Sequence, residues 1–245
     1  MRSVRDLYRP KFDMRLPLLH LHTIPSDGYI EFLRKGLLFD FDGLILDTET
    51  PEVRAWEWMF AQHNLEYPKE IWQSIVGRGP DQISEKPEDI LVRMAELDDA
   101  PERLYKTFRA RYFQILEKVA RPGVEKLIAD AIGLGYELHI VSSSEKRWVE
   151  GHLNDLGLRE HFQTLTTRDE GVPTKPAPDL YLRCLEKTDL KPKQVWALED
   201  SENGLTAAKA AGLRTIVCPN PTTEHLNFSK ADKFVSSLED ITLPL

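Results

Sequence analysis

The segment Gly36-Leu37-Leu38-Phe39-Asp40-Phe41-Asp42-Gly43-Leu44-Ile45-Leu46-Asp47-Thr48-Glu49 opens as a short apolar run and ends in carboxylates and a glycine. That is the pattern of a buried parallel strand delivering acids to the edge of a sheet. Side chains alternate along a strand, so Asp40 and Asp42 leave the same face while Phe41 turns away. Two carboxylates that converge repel one another and need a cation, a shared proton or an ammonium beside them. Gly43 permits a sharp turn, and Thr48 or Thr50, just before Pro51, reads as the cap of a helix.

The rest of the chain sets the frame for these acids. Its 245 residues hold one large domain or a core with a smaller companion, and 41% hydrophobic residues suffice for a core. A net charge of -8 argues against a nucleic-acid-binding surface. Cys184 and Cys218 stand alone, so neither a disulfide framework nor a cysteine metal site is indicated, and a reducing cytoplasm is the expected compartment. No apolar run has the length of a membrane span and no leader pattern opens the chain. Residues 1–35, broken by Pro10, Pro17 and Pro25, show no periodicity and read as a poorly ordered N-terminal extension. Within them Leu19-His20-Leu21-His22-Thr23-Ile24-Pro25-Ser26-Asp27-Gly28 resembles the first metal motif of the polymerase-and-histidinol-phosphatase phosphoesterases. The remaining histidines, at 63, 139, 152, 161 and 225, form no matching cluster, so no metal site is assigned there.

Residues 50–120 carry helical spacing only, as in Val53, Trp56, Met59, Phe60 and His63 and again in Leu104, Phe108, Tyr112, Ile115 and Val119. They read as an all-helical insertion between residues 36–49 and 121–245. Beyond Arg121 strands and helices alternate: strand 137–141, a helix to Leu156, a strand near 162–166, a helix 178–187, strand 195–198, a small-residue helix, and strand 213–218. Alternation predicts an α/β fold with a Rossmann-like, doubly wound parallel sheet, whose ligands bind beyond the carboxyl ends of the strands. Asp40, Asp42, Ser142, Glu199 and Asp200 all fall on that rim. Lys175, in Thr174-Lys175-Pro176-Ala177-Pro178, cannot belong to a helical face and reads as a fixed ammonium near the carboxylates.

Singly, Ser142 is an ordinary helix cap, Lys175 a loop lysine, and Glu199 with Asp200 two acids opening a helix. Together they form a kit for phosphate. Carboxylates repel a phosphate dianion, so a hard divalent cation, Mg2+, is expected among Asp40, Asp42, Glu199 and Asp200. One carboxylate can attack phosphorus and the other can shuttle the proton, while Ser142 and Lys175 hold the non-bridging oxygens.

These residues make the chain similar to the haloacid dehalogenase-like (HAD) hydrolases, and within them to the beta-phosphoglucomutase and phosphoglycolate phosphatase-like branch, over about residues 36–240. Asp40-Phe41-Asp42-Gly43 with Asp47-Thr48-Glu49 is similar to the family's first motif, Ser142 to its second, Lys175 to its third, and Glu199-Asp200-Ser201 to its fourth. The resemblance implies Asp40 as nucleophile and Asp42 as acid and base, with Mg2+ held by Asp40, the Asp42 backbone carbonyl and Asp200, and Glu199 close by. It also implies that residues 50–120 are a mobile cap supplying specificity, with Arg78 in the Gly77-Arg78-Gly79 turn as its leading contact. Mutases of the branch carry a histidine where this chain has Glu52, which weakens a sugar phosphomutase reading. The expected enzyme is a monomeric Mg2+-dependent phosphatase of a small phosphorylated metabolite, a sugar phosphate or a phosphoglycolate-like molecule. The alternatives are the mutase and a phosphate-binding module without turnover.

Overall fold

The computed structural model describes residues 34–79, 82–98 and 100–245, apart from the side chain of Lys69. The expected extension, save its last two residues, and the His20/His22 string lie outside them. Arg34 and Lys35 are already tied to the fold. Arg34 pairs with Glu137 through Nε (2.6 Å) and Nη2 (2.8 Å), and the Lys35 carbonyl accepts the Glu137 N–H at 2.8 Å.

Among the described residues six strands form one parallel sheet: β1 (Gly36–Phe39), β2 (Glu137–Val141), β3 (Thr164–Thr166), β4 (Val195–Glu199), β5 (Arg214–Val217) and β6 (Lys233–Phe234). Their order is β3-β2-β1-β4-β5-β6. The chain runs outward from β1 to β3, then crosses back to β4 on the other side of β1, so the topological switch lies between β1 and β4. Leu37 and Phe39 pack on one face with α5 (Val124–Gly133) and α6 (Lys146–Asp155). Leu38 points oppositely, into a cluster with α7 (Asp179–Thr188) and α8 (Glu202–Ala210). Both faces are covered, which is why the strands read as unbroken apolar runs. The fold is the expected doubly wound α/β sheet.

Two elements differ from the sequence reading. The third strand starts at Thr164, because Arg159–His161 form a 3-10 turn and Phe162, which closes it, instead packs edge-on against Phe39 at 5.6 Å. The two-residue β6 is exposed on both positions and has no apolar pattern to betray it.

Between β1 and α5 lie α1 (Glu49–Ala61), α2 (Lys69–Ile75), α3 (Pro87–Met94) and α4 (Pro101–Ile115). They share a hydrophobic cluster of their own, in which Trp56 and Phe108 stack at 4.1 Å. Val119, expected on the α4 stripe, is 68% exposed: the helix stops at Ile115 and Leu116 turns extended. The chain then returns to the core, where Ala120 bridges Leu46 and the Arg121 N–H donates to the Ile45 carbonyl at 2.8 Å.

His139 carries a prediction about stability. It is 1% exposed on β2; Nδ1 meets the Thr164 hydroxyl at 3.0 Å and Nε2 has no hydrogen-bond partner. Burial pulls its pKa down to about 4 from the usual 6.5, against the attraction of Glu137. The unfolded chain therefore binds the extra proton between these values, and stability must fall as pH drops from 6.5 toward 4, by on the order of 3 kcal/mol in all. Denaturant unfolding at stepped pH should show a shallower acid slope in His139→Gln than in the unmodified protein. Parallel slopes would remove His139 from the account.

Candidate active site

Strand register brings the acids to one level. Phe39 lies beside Leu198 of β4 and Ile140 of β2, and the Asp40 N–H continues the ladder to the Leu198 carbonyl at 2.9 Å. Asp40 and Glu199, which follow directly, and Ser142, one residue further on after Val141, therefore emerge on a shared rim at the switch point, where neighbouring crossovers diverge and leave a crevice.

Lys175 reaches this rim from the loop before α7. Its ammonium lies 2.8 Å from Asp40 Oδ1 and 2.7 Å from Glu199 Oε1, with only 1% of the residue exposed. The Tyr181 hydroxyl donates to the same Glu199 oxygen, and the lysine sits 5.3 Å from the centre of the Tyr181 ring. Burial opposes the charge on Lys175, but Asp40 and Glu199 outweigh it and hold its pKa above the lysine range.

One carboxylate oxygen each from Asp40, Glu199 and Asp200 lies within 4.8 Å of the others. Burial pushes Asp40 up to about 7 against the pull of Lys175. Asp200, fully buried, rises well above the aspartate range through desolvation and then the charges of Glu49, Asp40 and Glu199. One lysine does not balance so many buried acids. Glu199 Oε2 and Asp200 Oδ1 are moreover buried without hydrogen-bond partners. An all-oxygen set with unspent lone pairs fits a hard divalent cation.

The Asp42 side chain stands apart from that trio. Its Oδ1 accepts from Thr48 Oγ1 and Trp148 Nε1, both at 2.9 Å, and its Oδ2 from Ser144 Oγ at 2.6 Å and Ser142 Oγ at 3.3 Å. Thr48 thus does not cap α1 with its hydroxyl; Asp47 Oδ1 instead accepts the Thr50 N–H at 2.9 Å. Ser142 likewise spends its hydroxyl on Asp42 while accepting the Ser144 N–H at 3.0 Å. Gly43 makes the turn between the two aspartates and Asp47, with φ +75°, and a Cβ there would sit 2.1 Å from Asp200 Oδ2. Only glycine fits, for conformation and for space. Behind it the Asn220 amide donates to both Asp200 (2.7 Å) and Glu49 (2.5 Å). Burial raises Glu49 to about 8, partly offset by the bonds from Asn220 and Thr222.

The insertion touches this rim through the loop after α2. Asn203 Nδ2 donates to the Val76 carbonyl at 2.8 Å and Ser143 Oγ to the Gly77 carbonyl at 3.3 Å. Gly77 has φ +73° and lies so close that a Cβ would meet Ser201 Oγ at 2.3 Å. Arg78, next along, donates from Nη1 to the Gln82 carbonyl at 3.4 Å, and its Nε has no partner. Glu52 on α1 is half-buried. Its pKa is pushed up to about 7 by desolvation and by Asp42, with Arg109 opposing.

Comparison with protein families matches residues 37–218 to the haloacid dehalogenase-like hydrolases. The chain belongs to that family. The Bacillus subtilis protein YhcW is 36% identical over 86% of this chain and 95% of its own length. The fructose-1-phosphate phosphatase YqaB of Escherichia coli is 30% identical over 74% of this chain and 94% of its own. The crystal structure of CbbY from Rhodobacter sphaeroides with phosphate superposes with a TM-score of 0.65 at 28% identity, covering 84% of this chain and 96% of that one. This HAD-like hydrolase is accordingly an enzyme, a phosphoric monoester hydrolase. Among its described residues no helix is long and apolar enough to cross a membrane.

The structure gathers Asp40, Lys175, Glu199 and Asp200 into one buried group, sets Asp42 and Ser142 beside it, and leaves Arg78 and Glu52 on the insertion side. Sequence reasoning missed Ser144, Trp148, Tyr181 and Asn220. Ser144 and Asn220 had a signal, being polar residues at the exits of buried strands. Trp148 and Tyr181 had none, since each reads as one more apolar helix position.

Proposed function

We propose that this hydrolase is a Mg2+-dependent phosphatase of small phosphorylated sugars and related metabolites, working through an aspartyl phosphate on Asp40. The observation that carries the reading is the Asp40 carboxylate pinned by a buried ammonium at the switch point, with unspent carboxylate oxygens of Glu199 and Asp200 beside it. Asp40, Asp200 and the Asp42 backbone carbonyl, with Glu199 adjacent, would hold the Mg2+. Bound there, the ion supplies the positive charge that lets a dianionic ester approach acids. Asp40 attacks phosphorus, forming the Asp40–phosphorus bond as the bond to the sugar oxygen breaks. Asp42 delivers its proton to that departing oxygen, then takes one from the water that cleaves the acyl phosphate and releases inorganic phosphate. Lys175 steadies the charge spread over the non-bridging oxygens, and Ser142 joins it by turning its hydroxyl from the long 3.3 Å bond to Asp42 toward the phosphate. The helical residues 50–120 act as the cap that excludes water, and Arg78 and Glu52 meet the leaving group.

Support for the substrate class comes from relatives named for phosphorylated carbohydrates, YqaB among them, and from a CbbY structure holding xylulose 1,5-bisphosphate. Glu52 in place of the mutase histidine favours transfer to water over transfer to a sugar. The test is phosphate release, followed by phosphorus NMR, from a panel including fructose 1-phosphate and phosphoglycolate with Mg2+. EDTA should silence turnover and added Mg2+ restore it. Turnover that persists in EDTA would refute the charge argument.

A further inference from the structure

We propose that Trp148 is a positioning residue for Asp42 that makes the setting of this carboxylate depend on where the helical insertion sits. The inference rests on Asp42 acting as the proton donor proposed above. Three of the four donors to Asp42 come from segments adjoining the sheet: Thr48 in the linker, and Ser142 and Ser144 after β2. The fourth is different. The Trp148 indole donates to Oδ1 at 2.9 Å from the first turns of α6, and its ring packs against both the core cluster and the insertion's own cluster.

The contacts of the ring define the link. On the core side His152 meets it edge-on at 4.1 Å. On the insertion side Tyr112 and Phe113 of α4 each lie 6.2 Å away, centroid to centroid. Arg109, one turn earlier on α4, places its guanidinium 5.5 Å from the Trp148 ring, 5.5 Å from Tyr112 and 4.4 Å from Phe113. Among the described residues Arg109 forms no hydrogen bond or ion pair; these ring faces hold it here, together with the charge of Glu52. A bulky indole wedged between two packed bodies loses part of the packing that fixes its orientation when one of them moves away. Displacing α4 strips one side of the ring, and the N–H directed at Asp42 is then oriented from the core side alone. Asp42 then keeps its bonds from Thr48, Ser142 and Ser144 but loses the fourth, so its full set of donors is complete only while the insertion rests against α6.

Trp148→Phe keeps a stacking ring and removes the N–H. In kcat/KM, which reports steps up to phosphoenzyme formation, p-nitrophenolate leaves without a proton while phenolate needs one. With Mg2+ present, the variant should lose about tenfold or more on phenyl phosphate and less than about threefold on p-nitrophenyl phosphate, since only the former depends on a well-placed acid. Equal losses on both esters would reduce Trp148 to a packing residue and overturn the proposal. The hydrogen bond has its own readout. In proton–nitrogen correlation spectra, the indole signal absent from Trp148→Phe identifies Trp148 among the five tryptophans. That signal should shift in Asp42→Asn, and in Arg109→Leu if the insertion is linked to it; a signal unmoved in either variant breaks the corresponding link. If the unmodified protein hydrolyses neither these esters nor any phosphate of the panel above, the phosphatase reading falls and the catalytic role of Trp148 with it, while the spectra still decide whether the bond exists.

Discussion

Asp40→Asn is expected to lower turnover by about four orders of magnitude or more while the protein stays folded. The amide has the shape of the carboxylate but not its nucleophilic oxygen, and everything else in the site can remain in place. Lys175 keeps its bond to Glu199 at 2.7 Å, so the ammonium is not stranded. Removing one of several crowded acids also relieves repulsion, because the charges of Glu199 and Asp42 already act against an ionised Asp40. The melting temperature should therefore move by only a few degrees, roughly what about 1 kcal/mol produces in a domain of this size. Mass spectrometry of acid-quenched protein should find a phosphoryl adduct in the unmodified enzyme and none in the variant. Turnover within about tenfold of the unmodified enzyme would remove Asp40 as the attacking group.

Lys175→Met is expected to do what Asp40→Asn does not, and damage the fold as well as the chemistry. The ammonium lies between Asp40 and Glu199, and neither acid has water to replace it, Glu199 being 0% exposed. Withdrawing one partner from a buried ionic group leaves uncompensated charge and costs about 3–5 kcal/mol. The acids can lessen that by taking up protons, which disarms Asp40 as a nucleophile. Phosphate release should fall by about a hundredfold or more, the scale on which a single electrostatic contact to a transition state counts. The double variant Lys175→Met/Glu199→Gln separates the two effects. Removing the orphaned charge should recover a good part of the stability, and the activity should stay lost. A Lys175→Met protein as stable as the original would mean that the buried cluster is not held together by this lysine.

The residues behind these two predictions were readable from the chain alone, because a strand imposes its own geometry. Leu37-Leu38-Phe39, followed by acids and a glycine, reads as a strand covered on both faces, and acids after such a strand emerge at its carboxyl end. The same logic found Glu199 and Asp200 after Val195-Trp196-Ala197-Leu198, and Ser142 after β2. Lys175 was legible through the prolines around it, which forbid a helix. Each is a local rule, and none needs knowledge of what lies across the molecule.

What the sequence by itself determined, then, is the layered α/β architecture, the helical insertion and the identity of the acids on the rim, since backbone periodicity and strand ends fix them. The tertiary structure alone decided how those acids are used. It gave the Thr48 and Ser142 hydroxyls to Asp42 rather than to helix ends, brought Asn220 between Glu49 and Asp200, and set the Trp148 indole against Asp42 from more than a hundred residues away. The reason is physical: a hydrogen bond is directed and short, so its partner depends on how helices dock on the sheet, and docking depends on the shape of whole packed faces rather than on any one segment.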